Sequence, residues 1–438
     1  MKDRKLNRRD FLQMAGLTAA GVALAACAPQ GGAAGGSISA PKADVTATIN
    51  IFNYGGDADK VVYDAAYKRF NQKFPNVKII DTFVAVDTWG NFTQKFATAI
   101  AGGQDLDILH IAIEGARMVV TKNIMRPMDD LLAVPASAEL VNDIAPALKD
   151  SLKYKGKYYL LPDSWNNMCI HYNTKLFKDA GLEPPKEDWT WDDFLTAAKT
   201  LTKGEGNDKV WGFGIPAFNF GLQPWFLTGT GSGSLTDDWT KSNLNDPGAV
   251  EAMQFVYDLV YKHKVSPTIE GTDNTQLFSA GKMAMTGFGH WPIQSYMANK
   301  FTDYDVQYWP RKKAATSVFG VGGWGIPTAS KNPALAWEVI KELASLETMQ
   351  ATADAGVAIP ARRSVAESAA FIKNPPNAKI FYGCLKDAKP VPAPSNFAEV
   401  EQIFMRHFTE MMSNSVQPAE AMAAAHTELS AAMALVKD

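Results

Sequence analysis

Apolar and polar residues alternate with two different periods along the first part of the chain after residue 44. Some short runs alternate or stay apolar as β-strands do, and between them apolar residues recur at helical spacing. The predicted strands are Thr46–Phe52, Val77–Ile80 and Leu106–Ile113, and the helices run from about residue 57 to Phe74 and from Phe92 to Ile100. Strands that alternate with helices predict parallel βαβ units, with helices on both faces of the sheet.

The same patterns continue to the end of the chain, where the last segment is largely helical. Thr190 and Asp193 resemble a capping box, and Asp246-Pro247 combines a cap with a proline suited to a first helical position. The predicted strands are Lys157–Leu161, Met168–Tyr172, Val210–Pro216, Met283–Phe288 and Ser317–Ile326, and the helices start near 190, 246 and 332.

The N-terminus has the order of a secretory signal. Residues 4–9, RKLNRR, form a positively charged segment, and the apolar run 14–26 is too short to span a bilayer comfortably. Arg8-Arg9 followed by Phe11-Leu12 resembles a twin-arginine export signal. The alternative is an ordinary secretory signal that carries an arginine pair by chance.

A cysteine stands where the apolar run stops. Leu24-Ala25-Ala26-Cys27 resembles a bacterial lipobox, in which Cys27 becomes the lipidated N-terminus. The alternative is an ordinary cleavage site with an incidental cysteine. Residues 28–44 are rich in Gly, Ala, Ser and Pro, so 27–44 is predicted to be a lipid-bearing flexible tether after a signal peptide, 1–26.

Composition excludes several functions. The formal net charge is −3, which gives no electrostatic footprint for nucleic acid. Six scattered histidines and three cysteines show no metal-binding spacing, and the sequence implies no cofactor. The run 320–325 fits G-x-G-x-x-G, but Ile326-Pro327 follows where a dinucleotide site needs a helix. Whether Cys169 and Cys384 pair is left open.

One block of sequence carries a family resemblance. YNTKLFKDAGL (172–182) and WTWDDFL (189–195) resemble the extracellular solute-binding proteins of carbohydrate ABC importers, the maltose-binding-like family, solute-binding family 1. AIAGGQDLDILHI (99–111), FSAGKMAMTGFGHW (278–291), GGWGIPTASKNPALAWEVIKEL (322–343) and GVAIPARRSV (356–365) support the resemblance.

The resemblance implies an α/β fold of two lobes, with the ligand in the cleft between them. Three crossovers are expected near residues 163, 317 and 359. Lobe one would comprise 45–163 plus 318–358, and lobe two 164–317 plus 359–438.

The resemblance also implies a function without chemistry. A monomeric binding protein would capture a sugar or oligosaccharide outside the cytoplasmic membrane and deliver it to ABC transporter permease subunits. Lipid on Cys27 would be its membrane contact.

A sugar offers apolar faces that stack on aromatic rings and hydroxyls that need fixed polar partners. The resemblance places the stacking aromatic at Trp291, an acidic hydroxyl acceptor at Glu114, and ligand contacts at Tyr54 and Asp57. The further candidates, from their places in turns and at crossovers, are Trp324, Trp165, Trp225, Asp163, Asn166, Arg362 and His290. For the aromatic residues the alternative is core packing. For the charged residues it is solvation, a helix cap or a surface salt bridge.

Two other functions stay open. An extracytoplasmic glycoside hydrolase would also use aromatic residues and carboxylates, although no paired acid motif recurs. A binder of peptides, polyamines or metals is the other alternative, since the fold does not fix the ligand.

Overall fold

The computed structural model describes residues 40–436, apart from the side chain of Ala136. The predicted signal peptide, Cys27 and tether residues 28–39 lie outside the described residues. The strands are β1 (Ala47–Tyr54), β2 (Val77–Val84), β3 (Ile108–Ala112), β4 (Lys153–Tyr154), β5 (Lys157–Tyr158), β6 (Leu161–Asn167), β7 (Cys169–Asn173), β8 (Met285–Phe288), β9 (Tyr304–Gln307), β10 (Val318–Gly325), β11 (Ile359–Pro360) and β12 (Lys389–Pro390).

Helices surround these strands along the whole described chain. They are α1 (Asp57–Lys73), α2 (Trp89–Ala101), α3 (Ile113–Thr121), α4 (Asp129–Leu132), α5 (Ala138–Asn142), α6 (Pro146–Ser151), α7 (Thr174–Asp179), α8 (Trp191–Leu201), α9 (Asn219–Thr230), α10 (Pro247–Tyr261), α11 (Asn274–Ser279), α12 (Ile293–Ala298), α13 (Pro333–Leu343), α14 (Leu346–Asp354), α15 (Arg363–Ala366), α16 (Lys379–Gly383), α17 (Phe397–Met412) and α18 (Pro418–Ala434). Among residues 40–436, none of these helices combines the length and apolar character needed to cross a membrane.

The strands form a larger and a smaller sheet, besides the β4–β5 hairpin. The larger sheet has the order β11-β6-β10-β3-β1-β2, with β12 beside β10, and the smaller sheet has the order β8-β7-β9. β1 pairs in parallel with both β2 and β3, which confirms the predicted βαβ units. β6 and β10 pair antiparallel with each other, so the larger sheet is mixed.

Residues 162–167, which no strand was predicted to include, form most of β6 (Leu161–Asn167). β6 lies between β10 and β11 and pairs with both, which satisfies its backbone groups on each side. The chain passes from β6 to β7, and so from the larger to the smaller sheet, at Met168. The boundary expected at residue 163 therefore falls inside a strand.

The middle of the chain differs from the predicted elements in two further ways. Val210–Pro216 is not a strand, because it meets its neighbours only through single bridges such as Trp211 to Met283. The helix α9 was not predicted, since it contains Pro224 and two glycines. Nearly all of α9 is buried, so tertiary packing overrides its poor intrinsic propensity.

The predicted helix caps are confirmed. The Thr190 side chain accepts a hydrogen bond from Asp193 N at 3.2 Å, and Asp193 Oδ2 accepts one from Thr190 N at 2.9 Å. Asp246 Oδ1 accepts from Gly248 N at 2.7 Å, with Pro247 in the first turn of α10. Cys169 and Cys384, whose pairing was left open, are buried free thiols.

Candidate functional site

Trp291 follows β8 in the short loop before α12, and its side chain is only partly buried. Apart from the buried ring of Phe288 on β8, two further aromatic rings lie beside it. The Phe218 ring centroid lies 6.1 Å from that of Trp291, and the Phe220 centroid lies 6.5 Å away. Phe218 is 38% exposed. Trp291, Phe218 and Phe220, named here the aromatic cluster, present apolar ring surface to solvent.

The loop that carries Trp291 is held rigidly. Asn166 Oδ1, on β6, accepts a hydrogen bond from His290 N at 2.8 Å. The imidazole of His290 is buried against Phe371, with ring centroids 5.0 Å apart, and burial lowers its pKa to about 3. A Cβ at Gly289 would lie 2.2 Å from the Trp291 ring, so glycine is needed for this close approach. Asn166 and His290 thus position Trp291.

Glu114 lies in the first turn of α3, directly after β3, and is 3% exposed. A Cβ at Gly320 would lie 3.3 Å from the Phe220 ring and 3.7 Å from Glu114 Oε1, so both groups adjoin the space beside this glycine. Burial, assisted by the charge of Glu401, raises the pKa of Glu114 to about 8. A carboxyl that is largely protonated near neutral pH both donates and accepts, as a hydroxyl ligand requires.

The helix α17 meets the helix α2 beside this carboxyl. Glu401 Oε2 accepts a hydrogen bond from Gly90 N, in the first turn of α2, at 3.0 Å. A carboxylate at a helix N-terminus is favoured by the exposed N–H groups and the helix dipole.

Elsewhere on α3, the Arg117 guanidinium lies 4.3 Å from the centroid of the Trp239 ring.

Tyr54 and Asp163 meet at a histidine that the sequence analysis did not single out. The Tyr54 ring stacks on His110, with centroids 4.1 Å apart, and His110 Nε2 lies 3.1 Å from Asp163 Oδ1. Burial raises the pKa of Tyr54 well above its ordinary value. His110 is the one strongly polar residue in the strand ILHIA, and that interruption was the available signal. Asp57 is exposed at the start of α1.

The pattern of the family described as bacterial extracellular solute-binding protein matches residues 53–350. The chain belongs to this family. Its fold is that of the two-lobed binding proteins among the solved structures.

Several named proteins resemble this chain at low sequence identity. A maltotriose-binding protein of Pyrococcus abyssi is 23% identical over 297 residues, which span 64% of this chain and 58% of that protein. An arabinooligosaccharide-binding protein of Halalkalibacterium halodurans is 24% identical, over 54% of this chain and 53% of that protein. The chain therefore spans little more than half the length of these relatives.

Two solved structures cover most of the chain. An ABC substrate-binding protein from Listeria monocytogenes in complex with cycloalternan has a TM-score of 0.80 at 22% identity, over 89% of this chain and 100% of that chain. Maltose-bound MalE3 of T. maritima has a TM-score of 0.76 at 19% identity, over 88% of this chain and 99% of that chain. At these identities the likeness shows the fold.

In this family member, three of the four candidate tryptophans are enclosed in the core. Trp324 stacks on His110 with centroids 3.8 Å apart, and Trp165 Nε1 donates to Pro360 O at 3.3 Å. Trp225 is 0% exposed and touches five other aromatic rings. None of the three offers a free ring face here.

Arg362 is also buried, away from the aromatic cluster. Its guanidinium donates to Asp143 Oδ2 at 2.9 Å and to Glu139 Oε1 at 3.2 Å. A buried cation needs such partners to be stable. These ion pairs also connect the segment after β11 to the region of α5. The structure therefore brings together Trp291, Asn166 and His290. It places Glu114 near Gly320 and Phe220, and Arg362 in a separate ion-pair cluster.

The buried carboxyl predicts a pH dependence of stability. The pKa of Glu114 is about 8 in the native state and about 4.5 ordinarily, so above pH 4.5 the unfolded chain releases a proton that the native state keeps. The free energy of unfolding should therefore fall as the pH rises from about 4.5 to about 8. Glu114→Gln cannot ionise, so its melting temperature should decline less over that range.

The measurement is a set of thermal melts of both proteins between these pH values. Glu399→Gln, at an exposed position on α17, is the control and should follow the wild-type profile. Parallel curves for wild type and Glu114→Gln would contradict the assignment of the buried proton to this carboxyl.

Proposed function

We propose that this solute-binding protein captures a sugar or oligosaccharide outside the cytoplasmic membrane and delivers it to the permease subunits of an ABC transporter. The observation that carries the proposal is that Phe220 of the partly exposed aromatic cluster and the buried Glu114 carboxyl both lie beside Gly320. A sugar ring needs both surfaces, one for its C–H face and one for its hydroxyls. The named relatives that bind maltotriose and arabinooligosaccharides support the same class of solute.

The organisation into two lobes, 45–163 plus 318–358 and 164–317 plus 359–438, remains part of this proposal. Ligand capture would bring the larger-sheet and smaller-sheet sides together around Trp291 and Glu114. A single copy of the chain would suffice, because both groups belong to the same chain.

Thermal melts in the presence of a panel of sugars test the proposal. The panel comprises glucose, maltose and maltotriose, arabinose and arabinotriose, and mannose and mannotriose. A ligand that binds only the native state raises the melting temperature, by an amount that grows with its concentration over Kd. At least one sugar should do so and should be recovered intact. Hydrolysis of a panel sugar would favour the glycoside hydrolase, and no shift with any of them would contradict sugar capture.

Twin-arginine-type export and a lipid anchor on Cys27 are also proposed, on the strength of the N-terminal sequence. Cys27→Ser should move the protein from the membrane fraction to the soluble extracytoplasmic fraction while leaving sugar affinity unchanged. Cell fractionation followed by titration of the purified protein measures both. Cys384→Ser, at a buried thiol in the body, is the control and should stay with the membrane. A Cys27→Ser protein that still fractionates with membranes would refute the anchor.

A further inference from the structure

The helix α2 belongs to the side of the molecule that contains the larger sheet. Phe92 on α2 packs against Phe52 of β1, with ring centroids 5.5 Å apart. The helix begins after Thr88, whose side chain accepts a hydrogen bond from Asn91 N at 3.1 Å. The first N–H groups of a helix have no partner within the helix. The cap at Thr88 therefore leaves Gly90 N to be paired by another group.

The helix α17 belongs to the side that contains the smaller sheet. Its Phe404 ring lies 5.6 Å from that of Phe226 on α9. On the same helix α9, Trp225 lies 5.0 Å from Trp309, measured between ring centroids. The Trp309 ring in turn lies over β8, because a Cβ at Gly287 would be 2.7 Å from it. In a two-lobed fold, α17 therefore moves with the smaller sheet and α2 with the larger one.

One close contact joins these two helices. Glu401 Oε2, on α17, accepts a hydrogen bond from Gly90 N at 3.0 Å and so pairs the donor that Thr88 does not reach. A Cβ at Gly90 would lie 2.8 Å from Glu401 Oε2 and 3.2 Å from Ala398 Cα. Because a backbone atom cannot swing aside as the end of a side chain can, a larger residue at position 90 would push α17 away from α2.

The contact lies on the same side of the molecule as the candidate hydroxyl acceptor. Glu114 and Ala398 both line the cavity of about 520 Å³ between α2, α3 and α17. A movement that closes the two sides beside Glu114 therefore also brings Glu401 to Gly90.

We propose that Glu401 and Gly90 form a clasp, which stabilises the arrangement in which the two lobes are closed on the ligand. A ligand that binds one arrangement binds more tightly when that arrangement is more populated. The clasp thus raises sugar affinity without touching the sugar, an inference that rests on the proposed function.

Gly90→Ala tests the clasp, since alanine is a better helix former than glycine and should leave α2 itself intact. Small-angle X-ray scattering without sugar should give the variant a larger radius of gyration than wild type. Isothermal titration with the tightest-binding panel sugar should show about tenfold weaker binding. Gly102→Ala, at the other end of α2, is the matched control, because its Cβ meets only carbonyl oxygens of α2. It should match wild type in both measurements.

Glu401→Ala provides a second variant if Gly90→Ala does not fold, because it removes the acceptor and adds no bulk. It should also weaken binding by about tenfold, the cost of a lost hydrogen bond to a charged group. If both residues act through one contact, the double variant should bind about as tightly as Gly90→Ala alone. Losses of affinity that simply add would contradict the clasp.

A folded Gly90→Ala protein with the affinity and the radius of gyration of Gly102→Ala would overturn the clasp alone. Binding of no panel sugar to wild type would instead overturn the proposed function. The scattering comparison of the two alanine variants needs no sugar, so it would still decide whether the clasp holds the lobes together.

Discussion

Trp291→Ala should weaken sugar binding by tenfold or more and leave the melting temperature close to that of wild type. Truncation of a buried aromatic anchor in a binding site commonly costs about 2 kcal/mol or more, which corresponds to about thirtyfold in affinity. Trp291 is partly exposed before ligand binds, so little packing is lost from the unliganded fold. Isothermal titration with the tightest-binding panel sugar, beside a thermal melt, measures both quantities.

Trp191→Ala is the matched control, because it removes the same ring from a helix start in the core. Trp191 is 3% exposed, stacks on Phe255 with centroids 4.7 Å apart, and donates from Nε1 to Thr228 Oγ1 at 3.1 Å. The variant should lose stability and keep near-normal affinity. Equal losses of affinity in the two variants would show that the site has been placed wrongly.

Trp225→Ala should lower the free energy of unfolding by about 3–5 kcal/mol, the usual cost of removing a buried tryptophan. The ring is completely enclosed by other aromatic residues, among them Trp309 with its centroid 5.0 Å away. Denaturant unfolding gives the difference. Trp211→Ala is the control, since Trp211 is only partly buried and Lys209 covers one face of its ring. A loss no larger than that of Trp211→Ala would contradict the core assignment of Trp225.

The first part of the body was predictable because local signals there agree with the tertiary structure. The alternation in β1 buries Ile49 and Ile51, and the helical repeat of α2 buries Phe92 and Phe96 in the same core. Caps depend on neighbouring residues only, so Thr190 with Asp193 was predicted correctly from sequence. Where residue spacing and local hydrogen bonding determine a strand or helix, the sequence alone is sufficient to predict it.

The central segments were not predictable for the converse reason. β6 is a strand because β10 and β11 pair with both of its edges, and those partners come about 150 or more residues later in the chain. α9 is helical although Pro224 lies inside it, because surrounding aromatic residues bury it. Both outcomes depend on contacts that no local pattern contains.

The candidate site was predictable only in part, for a related reason. Gly289 lies two positions before Trp291, and glycines flank Trp324 on both sides. Yet Trp291 remains partly exposed, while Trp324 is buried in the core and stacks on His110. The sequence suggests which residue types suit a sugar, but only the packing decides which rings keep a free face.

A crystal structure of the protein with the tightest-binding panel sugar tests the placement of the site most directly. We expect one sugar ring on the exposed face of Trp291, and a hydroxyl within a hydrogen-bond distance of about 2.5–3.0 Å from a Glu114 carboxyl oxygen. A sugar bound elsewhere, in contact with neither Trp291 nor Glu114, would contradict the account.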